Sequence, residues 1–451
     1  MVSCFIGLVL SILVASACTS TVKYSKEMDS LLALNRFDLA YEEILKNKKE
    51  YSNLDQSLYY LDLGILAHYA GRFEESNRNL AQAELILDDL YTTSISKESA
   101  AMVVNEKTLP YDGEDFERAL VNMFMSLNYT ALGLRDDALV EARKVDQKLA
   151  VINARYPEDK KNVYKEDAFI RYMMGLLYES DGEMNDALIS YRKSVDIYRR
   201  DYFPAYGTTA PSLLYESLFW AAEAMKFDDE KNLALKGLGR QPSLTWKQKK
   251  DQASIIFIHY NGRGPRKVEQ SFMFPMPDGK PNRIALPVFK ESTPRIAYGK
   301  IQVHDLTDGR TYHGSTQLME NLAAIAVLNL ENERARLIAR AILRAAIQYG
   351  LSEGASAAAK EAVGGKDGET VGQIVSLLAG VARTVIAAAD LRHWRLLPAE
   401  IRAARLDVPP GEYKADVEFM NSYNQKVQTG SYGPLSVRRG EVAIVFLESI
   451  Q

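Results

Sequence analysis

The chain has 451 residues, 47% of them hydrophobic and 25% charged, with a formal net charge of −4. That is length for two or three folded domains, and the charge excludes bulk attraction to nucleic acid. Only two cysteines occur, Cys4 and Cys18. The body after Cys18 therefore has neither a disulfide framework nor a cysteine metal site.

An apolar run from Val2 ends in Val14-Ala15-Ser16-Ala17 before Cys18. An h-region with small residues ahead of a cysteine has the layout of a bacterial lipoprotein signal. We expect residues 1–17 to be removed and Cys18 to carry lipid, so that the protein is held to a membrane by acyl chains. No later run is apolar and long enough to cross a bilayer, which implies a tethered body rather than a spanning one.

Residues 18–245 read as amphipathic helices with short polar breaks and internal self-similarity. One unit carries Tyr60, Leu63-Gly64, Ala67, Gly71, Phe73, Ser76, Leu80 and Ala83. A second carries Asn122, Met125-Ser126, Tyr129, Gly133, Ala138, Ala142 and Val145, and a third Arg171, Met174-Gly175, Tyr178, Gly182, Ala187, Tyr191 and Ser194. This is tetratricopeptide-like spacing. Gly64 and Gly175 let the first helix of a pair press on the second, and Gly71, Gly133 and Gly182 supply the left-handed residue that ends it. A weaker pair is expected around Leu31 to Leu45, turning at Asn35-Arg36-Phe37, and another from Pro211 to Leu238. The α-solenoid so formed would offer a concave groove to a protein partner.

Composition shifts near Pro242. "ASIIFIHYNGRGP" reads as a buried strand ending in an Asn-Gly hairpin turn, followed by "RIALPVF" and "RIAYGKIQVHDL". Residues 317–395 are expected to be a helical insertion, with an apolar stripe at Val371, Ile374, Val375, Leu378, Val381, Val385 and Ala389. Strands resume after Pro398, with a Pro-Pro-Gly turn. The fold class expected is α+β, mainly α. A TPR-like solenoid precedes a small β-sandwich-like domain formed by 250–316 and 396–451.

Chemistry-bearing patterns are sparse. The histidines His68, His259, His304, His313 and His393 lack zinc spacing, although His304-Asp305 and His313 fall on neighbouring strands. No nucleophile elbow or Walker loop occurs, so neither an enzyme nor a cofactor is expected. The candidate binding residues are Arg263 and Lys267 at a Gly-rich basic turn, and Asp390, Arg392 and Trp394 at a polar, aromatic corner. Trp394 could stack on a sugar while Arg392 grips it. Arg336, Arg340 and Arg344 form a basic stripe at helical spacing.

The blocks "ALVNMFMSLNYTALG", "FIHYNGRGPRKVEQ", "MENLAAIAVLNL" and "DLRHWRLLPAEIRAARLDVPPGEY", together with Cys18, resemble bacterial envelope lipoproteins with tetratricopeptide-like N-terminal halves. Some of these are encoded beside lipoproteins resembling activators of peptidoglycan synthases. The resemblance implies a cell-envelope role and maps the lipidated cysteine onto Cys18. Thr19 after it resembles outer-membrane sorting, facing the periplasm. It carries over no other functional residue. The expected function is a lipid-anchored adaptor holding an envelope protein through its helices. The alternatives are a glycan- or peptidoglycan-binding module, a regulator of a peptidoglycan or polysaccharide machine, and a structural spacer.

Overall fold

The structure is a computed structural model and describes residues 26–96, 106–154, 156, 164–275, 281–291, 293–348 and 389–450. It is mostly helical, with a β-sheet region in the C-terminal half. Among the described residues five antiparallel helix pairs come first: α1 (Lys26–Ala33) with α2 (Phe37–Lys46), α3 (Gln56–Tyr69) with α4 (Phe73–Ser96), α5 (Asp115–Ala131) with α6 (Arg135–Ala154), α7 (Ala168–Ser180) with α8 (Met184–Ile197), and α9 (Ser212–Met225) with α10 (Asp228–Leu238). A π-helical turn, Tyr198–Tyr202, extends α8.

The turn and contact residues act as their spacing predicts. Gly71, Gly133 and Gly182 have φ of 71°, 72° and 77°. A Cβ on Gly64 would lie 2.5 Å from Leu80, and one on Gly175 would lie 2.3 Å from the Tyr191 ring. Ser76 Oγ donates to the Gly64 carbonyl at 2.7 Å, and Ser126 Oγ to that of Ala138 at 2.8 Å. In these two pairs a buried hydroxyl thus ties one helix to the backbone of the other.

The strands are β1 (Ala253–Arg263), β2 (Arg266–Pro275), β3 (Pro281–Lys290), β4 (Tyr298–Asp305), β5 (Thr311–Ser315), β6 (Gln317–Asn321), β7 (Pro398–Val408), β8 (Gly411–Met420), β9 (Lys426–Val437) and β10 (Val442–Ser449). One sheet has the order β10-β1-β7-β6 and another β5-β4-β8-β9, while β2 and β3 form a separate hairpin. Helix α11 (Leu322–Gln348) leaves β6 and packs on β3.

The first sheet is buried on both faces. Ile255 and Phe257 point into a core shared with Ile301, Val303, Val417 and Phe419 of the second sheet. Ile256, Ile258 and Tyr260 join the core of the helical half. This is why β1 reads as a near-continuous apolar run rather than an alternating one.

Three expectations need correction. Helix does not begin at Gln317: Gln317–Asn321 is a strand paired with β7, and Asn321 caps the helix by accepting from Ala324 N at 3.0 Å. The Asn-Gly segment is no hairpin turn, because β1 runs on through Arg263 and β2 pairs with β3 in another sheet. Finally, the helical groove is not open. The first helices of the pairs meet the chain's own strands, with His68 and Phe124 against Tyr260, and Glu179 of α7 against Arg405 of β7. The Val371–Val385 stripe lies outside the described residues.

Candidate functional site

Four of the five marked binding residues meet at the N-terminus of α5. The sequence Gly113-Glu114-Asp115 places acids where the helix leaves N–H groups unpaired. Glu117 reaches back to accept from Glu114 N at 3.1 Å. It also accepts from the Tyr111 hydroxyl at 2.5 Å and from Trp394 N at 2.7 Å. Lys267 of β2 pairs with Glu114 while its side chain is only 4% exposed.

Arg392 locks the neighbouring corner. It forks onto Asp390 at 2.6 Å and reaches Asp55 at 3.3 Å, and it donates to the Leu109 carbonyl at 3.0 Å. One guanidinium therefore ties the approach to β7, the start of α3 and the loop before α5. Trp394 is 2% exposed and lies edge-on to Phe124, 5.9 Å away. The stacking platform expected for a sugar is closed, and Arg392 has no free fork to offer. Both are corrections to the glycan-binding expectation. His393 packs edge-on against Phe289 at 5.5 Å and is also buried.

Burial sets the electrostatics. Loss of solvent, reinforced by the charge of Glu114, pushes Glu117 up to about 7. Burial would lower Lys267, but the Glu114 carboxylate outweighs it and holds the ammonium charged. Burial, then the repulsion of Lys267, pushes His393 down to about 3. The cluster can bind and release a proton near neutrality, at Glu117. A shallow cavity of about 290 Å³ lies elsewhere, lined by Gly207–Ser212, Gln317 and Leu318.

A second buried joint was not marked by the sequence. Arg405 donates to Glu179 at 3.0 Å, to Ser217 at 2.8 Å and to Asp407 at 3.2 Å. Lys249 lies 3.3 Å from both carboxylates. Burial would raise Glu179, but Arg405 and then Lys249 outweigh it and hold it at about 2. Between the joints His68, 1% exposed, bridges Asn128 at 2.6 Å and Tyr260 at 2.7 Å, and burial pushes it down to about 4.

The remaining sequence-marked residues are scattered. Arg263 pairs with Asp29 of α1 at 2.6 Å. His304 reaches Thr311 at 3.0 Å and Asp416 at 3.4 Å, and His313 sits opposite Gln302. Among the described residues no group of His, Cys, Asp and Glu could hold a metal ion. Cys18 lies outside the described residues, and so do the side chains of Arg336, Arg340 and Arg344. The joint residues that sequence reasoning missed are Asp55, Glu114, Glu117, Glu179, Lys249, Arg405 and Asp407. A signal existed for one pair: Glu114-x-x-Glu117 before an apolar helix is a capping pattern.

No family model matches this chain, and no curated protein does. Among solved structures, the crystal structure of MamA is similar at 18% identity over 48% of this chain and 94% of its own, with a TM-score of 0.30. A Podosopora anserina protein titled as a kinesin light chain with nearly identical TPR-like repeats is similar at 13% identity, over 48% of this chain and 90% of that one, at 0.31. The Rap conjugation gene regulator of plasmid pLS20, in complex with the Phr* peptide, is similar at 13% identity over 47% and 50%, at 0.29.

Proposed function

We propose that this protein is a non-enzymatic scaffold, held to the bacterial cell envelope by lipid on Cys18, that presents its helical half to a protein partner. The observation that carries the scaffold reading is the fate of its charged side chains. Lys267, Asp390, Arg392, Glu114, Glu117, Arg405 and Glu179 are consumed in joining the helical half to the sheets. The joints make one stiff body, as a scaffold requires, and they leave these charged groups paired with one another rather than open to a substrate.

Because the inner face is occupied by the chain's own strands, the partner surface is the outer face of the second helices. Val140 and Ile189 stand at the sixth position of α6 and α8 and are 48% and 58% exposed. The sequence Cys18-Thr19 and the resemblance to envelope lipoproteins support an outer-membrane placement.

Affinity capture from crosslinked envelopes tests the reading. A specific protein should be recovered with the parent chain and lost with Val140→Asp/Ile189→Asp, while the melting temperature stays unchanged. Equal recovery with both chains, or background alone, would overturn the outer-face reading. Mass spectrometry of the N-terminal peptide tests the anchor separately. A diacyl or triacyl Cys18 is expected, and an unprocessed Met1 would overturn it.

A further inference from the structure

The two four-stranded sheets end in the edge strands β10, β6, β5 and β9. Three of these carry a device against further pairing. β6 is bulged between Leu318 and Glu320, and its Met319 carbonyl takes the Tyr198 hydroxyl at 2.6 Å. β5 is five residues long. β9 shifts register twice and contains Pro434, which brings no N–H. Short edges, bulges and proline are what keep a sheet from adding another strand.

Strand β10 has none of them. It holds register with β1 over eight positions, and Val-Ala-Ile-Val-Phe-Leu-Glu-Ser contains no proline, glycine or basic residue. Ser254 N donates to the Glu441 carbonyl, so in this parallel ladder Ala443, Val445 and Leu447 turn their backbone groups toward β1. Val442, Ile444, Phe446 and Glu448 turn theirs outward, and all four residues are half-buried. Among the described residues one bond from another element is made on that side, by Asn35 Nδ2 to the Glu448 carbonyl at 3.1 Å.

We infer that the β10 edge takes an extended peptide segment of a partner protein as an added strand, apolar along its length and carrying a lysine or arginine opposite Glu448. The free donors and acceptors of Val442, Ile444 and Phe446 repeat about every 6.6 Å, the spacing of an extended main chain. Phe446, stacked on Tyr260 and 5.5 Å from Phe73, gives that strand an aromatic wall. Charge names the basic residue. No cation stands by the Glu448 carboxylate among the described residues. The titratable groups around it are the hydroxyls of Tyr69 of α3, Tyr260 of β1 and Tyr432 of β9. Burial holds it up to about 8, and an incoming ammonium or guanidinium restores its charge.

Size argues for a segment rather than a second copy of this chain. The α1–α2 turn stands at the end of the edge through Asn35, beside the 68% exposed Leu34, so the occupant there is thin. One strand pairing is also small against the roughly 1,200 Å² that stable protein pairs bury. The inference does not rest on the outer-face reading above.

Residue-resolved hydrogen exchange on the full chain reads the edge. The amides of Ile444 and Phe446 should exchange fast, and those of Val445 and Leu447 slowly. Ile444→Pro should keep the parent's melting temperature, because the lost N–H points away from β1, whereas Val445→Pro should lower it sharply. The probe is the synthetic peptide Lys-Val-Thr-Val-Thr-Val-Lys, capped at both ends, beside a twin with glutamate for both lysines. The lysine peptide should slow exchange at 444 and 446 and bind about tenfold more tightly than its twin. Glu448→Gln should shrink that ratio to about twofold, and Ile444→Pro should not bind.

Slow exchange at 444 and 446 before peptide is added means that the chain covers its own edge, and overturns the inference. Protection that grows with protein concentration alone means a second copy and overturns the peptide assignment. Equal binding of the two peptides, or a ratio that survives Glu448→Gln, overturns the pairing with Glu448. No protection at about 1 mM lysine peptide overturns the site itself.

Discussion

The two buried joints between helices and sheets perform the same mechanical task with opposite charge balance. At the α7 joint, Arg405 and Lys249 face Glu179 and Asp407, two cations to two carboxylates. At the α5 joint, Lys267 and Arg392 face Glu114, Glu117, Asp390 and Asp55, so acid is in excess. Glu179 is accordingly held at about 2, whereas Glu117 rises to about 7. A balanced joint is a fixed fastener over the physiological range. An unbalanced one loosens as it loses its proton.

The comparison breaks most visibly at Arg405. Arg405→Met leaves two buried carboxylates with one lysine and should cost about 3 to 5 kcal/mol of stability in urea denaturation at neutral pH. A loss below about 1 kcal/mol would mean that the α7 joint is open to water. The helix pair behind it comes next. Gly175→Val drives a branched side chain into Tyr191, which itself donates to Glu179 at 2.7 Å. Overpacking and poor helix propensity should cost about 3 kcal/mol, read as a fall in melting temperature.

The α5 joint is tested by pH. Glu117 has a folded value raised from 4.5. Its contribution is fully present below about 4.5 and is lost as pH rises through about 7. The parent should therefore lose on the order of 2 kcal/mol between pH 5 and 8 through this group. Glu117→Gln should flatten that slope, and an unchanged slope would place the titration elsewhere. Glu179, lowered from 4.5, contributes above that value and weakens only as pH falls toward 2. The smallest effect is at Trp394, whose indole Nε1 has no hydrogen-bond partner among the described residues. Trp394→Phe should cost less than about 1.5 kcal/mol, and it should leave sedimentation with peptidoglycan at the parent's level.

What could be read from the chain beforehand was local. The turn glycines, the close contacts at Gly64 and Gly175, and the apolar β1 all announce themselves through short spacings. Gln317–Asn321 reads as helix because a five-residue strand leads straight into an amphipathic helix, and the periodicity of the helix masks it. The capping Asn321 was the available clue. The joints were illegible for a different reason. Lys267 and Glu114 are 153 positions apart, and Arg405 and Glu179 are 226 apart. Nothing in a sequence marks which distant charge a buried charge will face. Arg392 and Trp394 stood out as a polar, aromatic corner, and composition alone does not tell an exposed corner from a sealed one.

The pairing of β1 with β10 sets an order on the making of the protein. The helix pairs close on neighbours a few dozen residues away and can settle as they emerge from the ribosome. Strand β1 cannot. Its parallel partner joins it across contacts such as Asn261 to Ser449, 188 residues apart. Until Val442–Ser449 has been synthesised, Ser254–Asn261 keeps one unpaired edge and its apolar side chains lack part of their cover. A chain interrupted before Val442 would carry well-formed helices beside an adhesive strand. Its soluble yield would then report completion of the last strand and not the quality of the repeats.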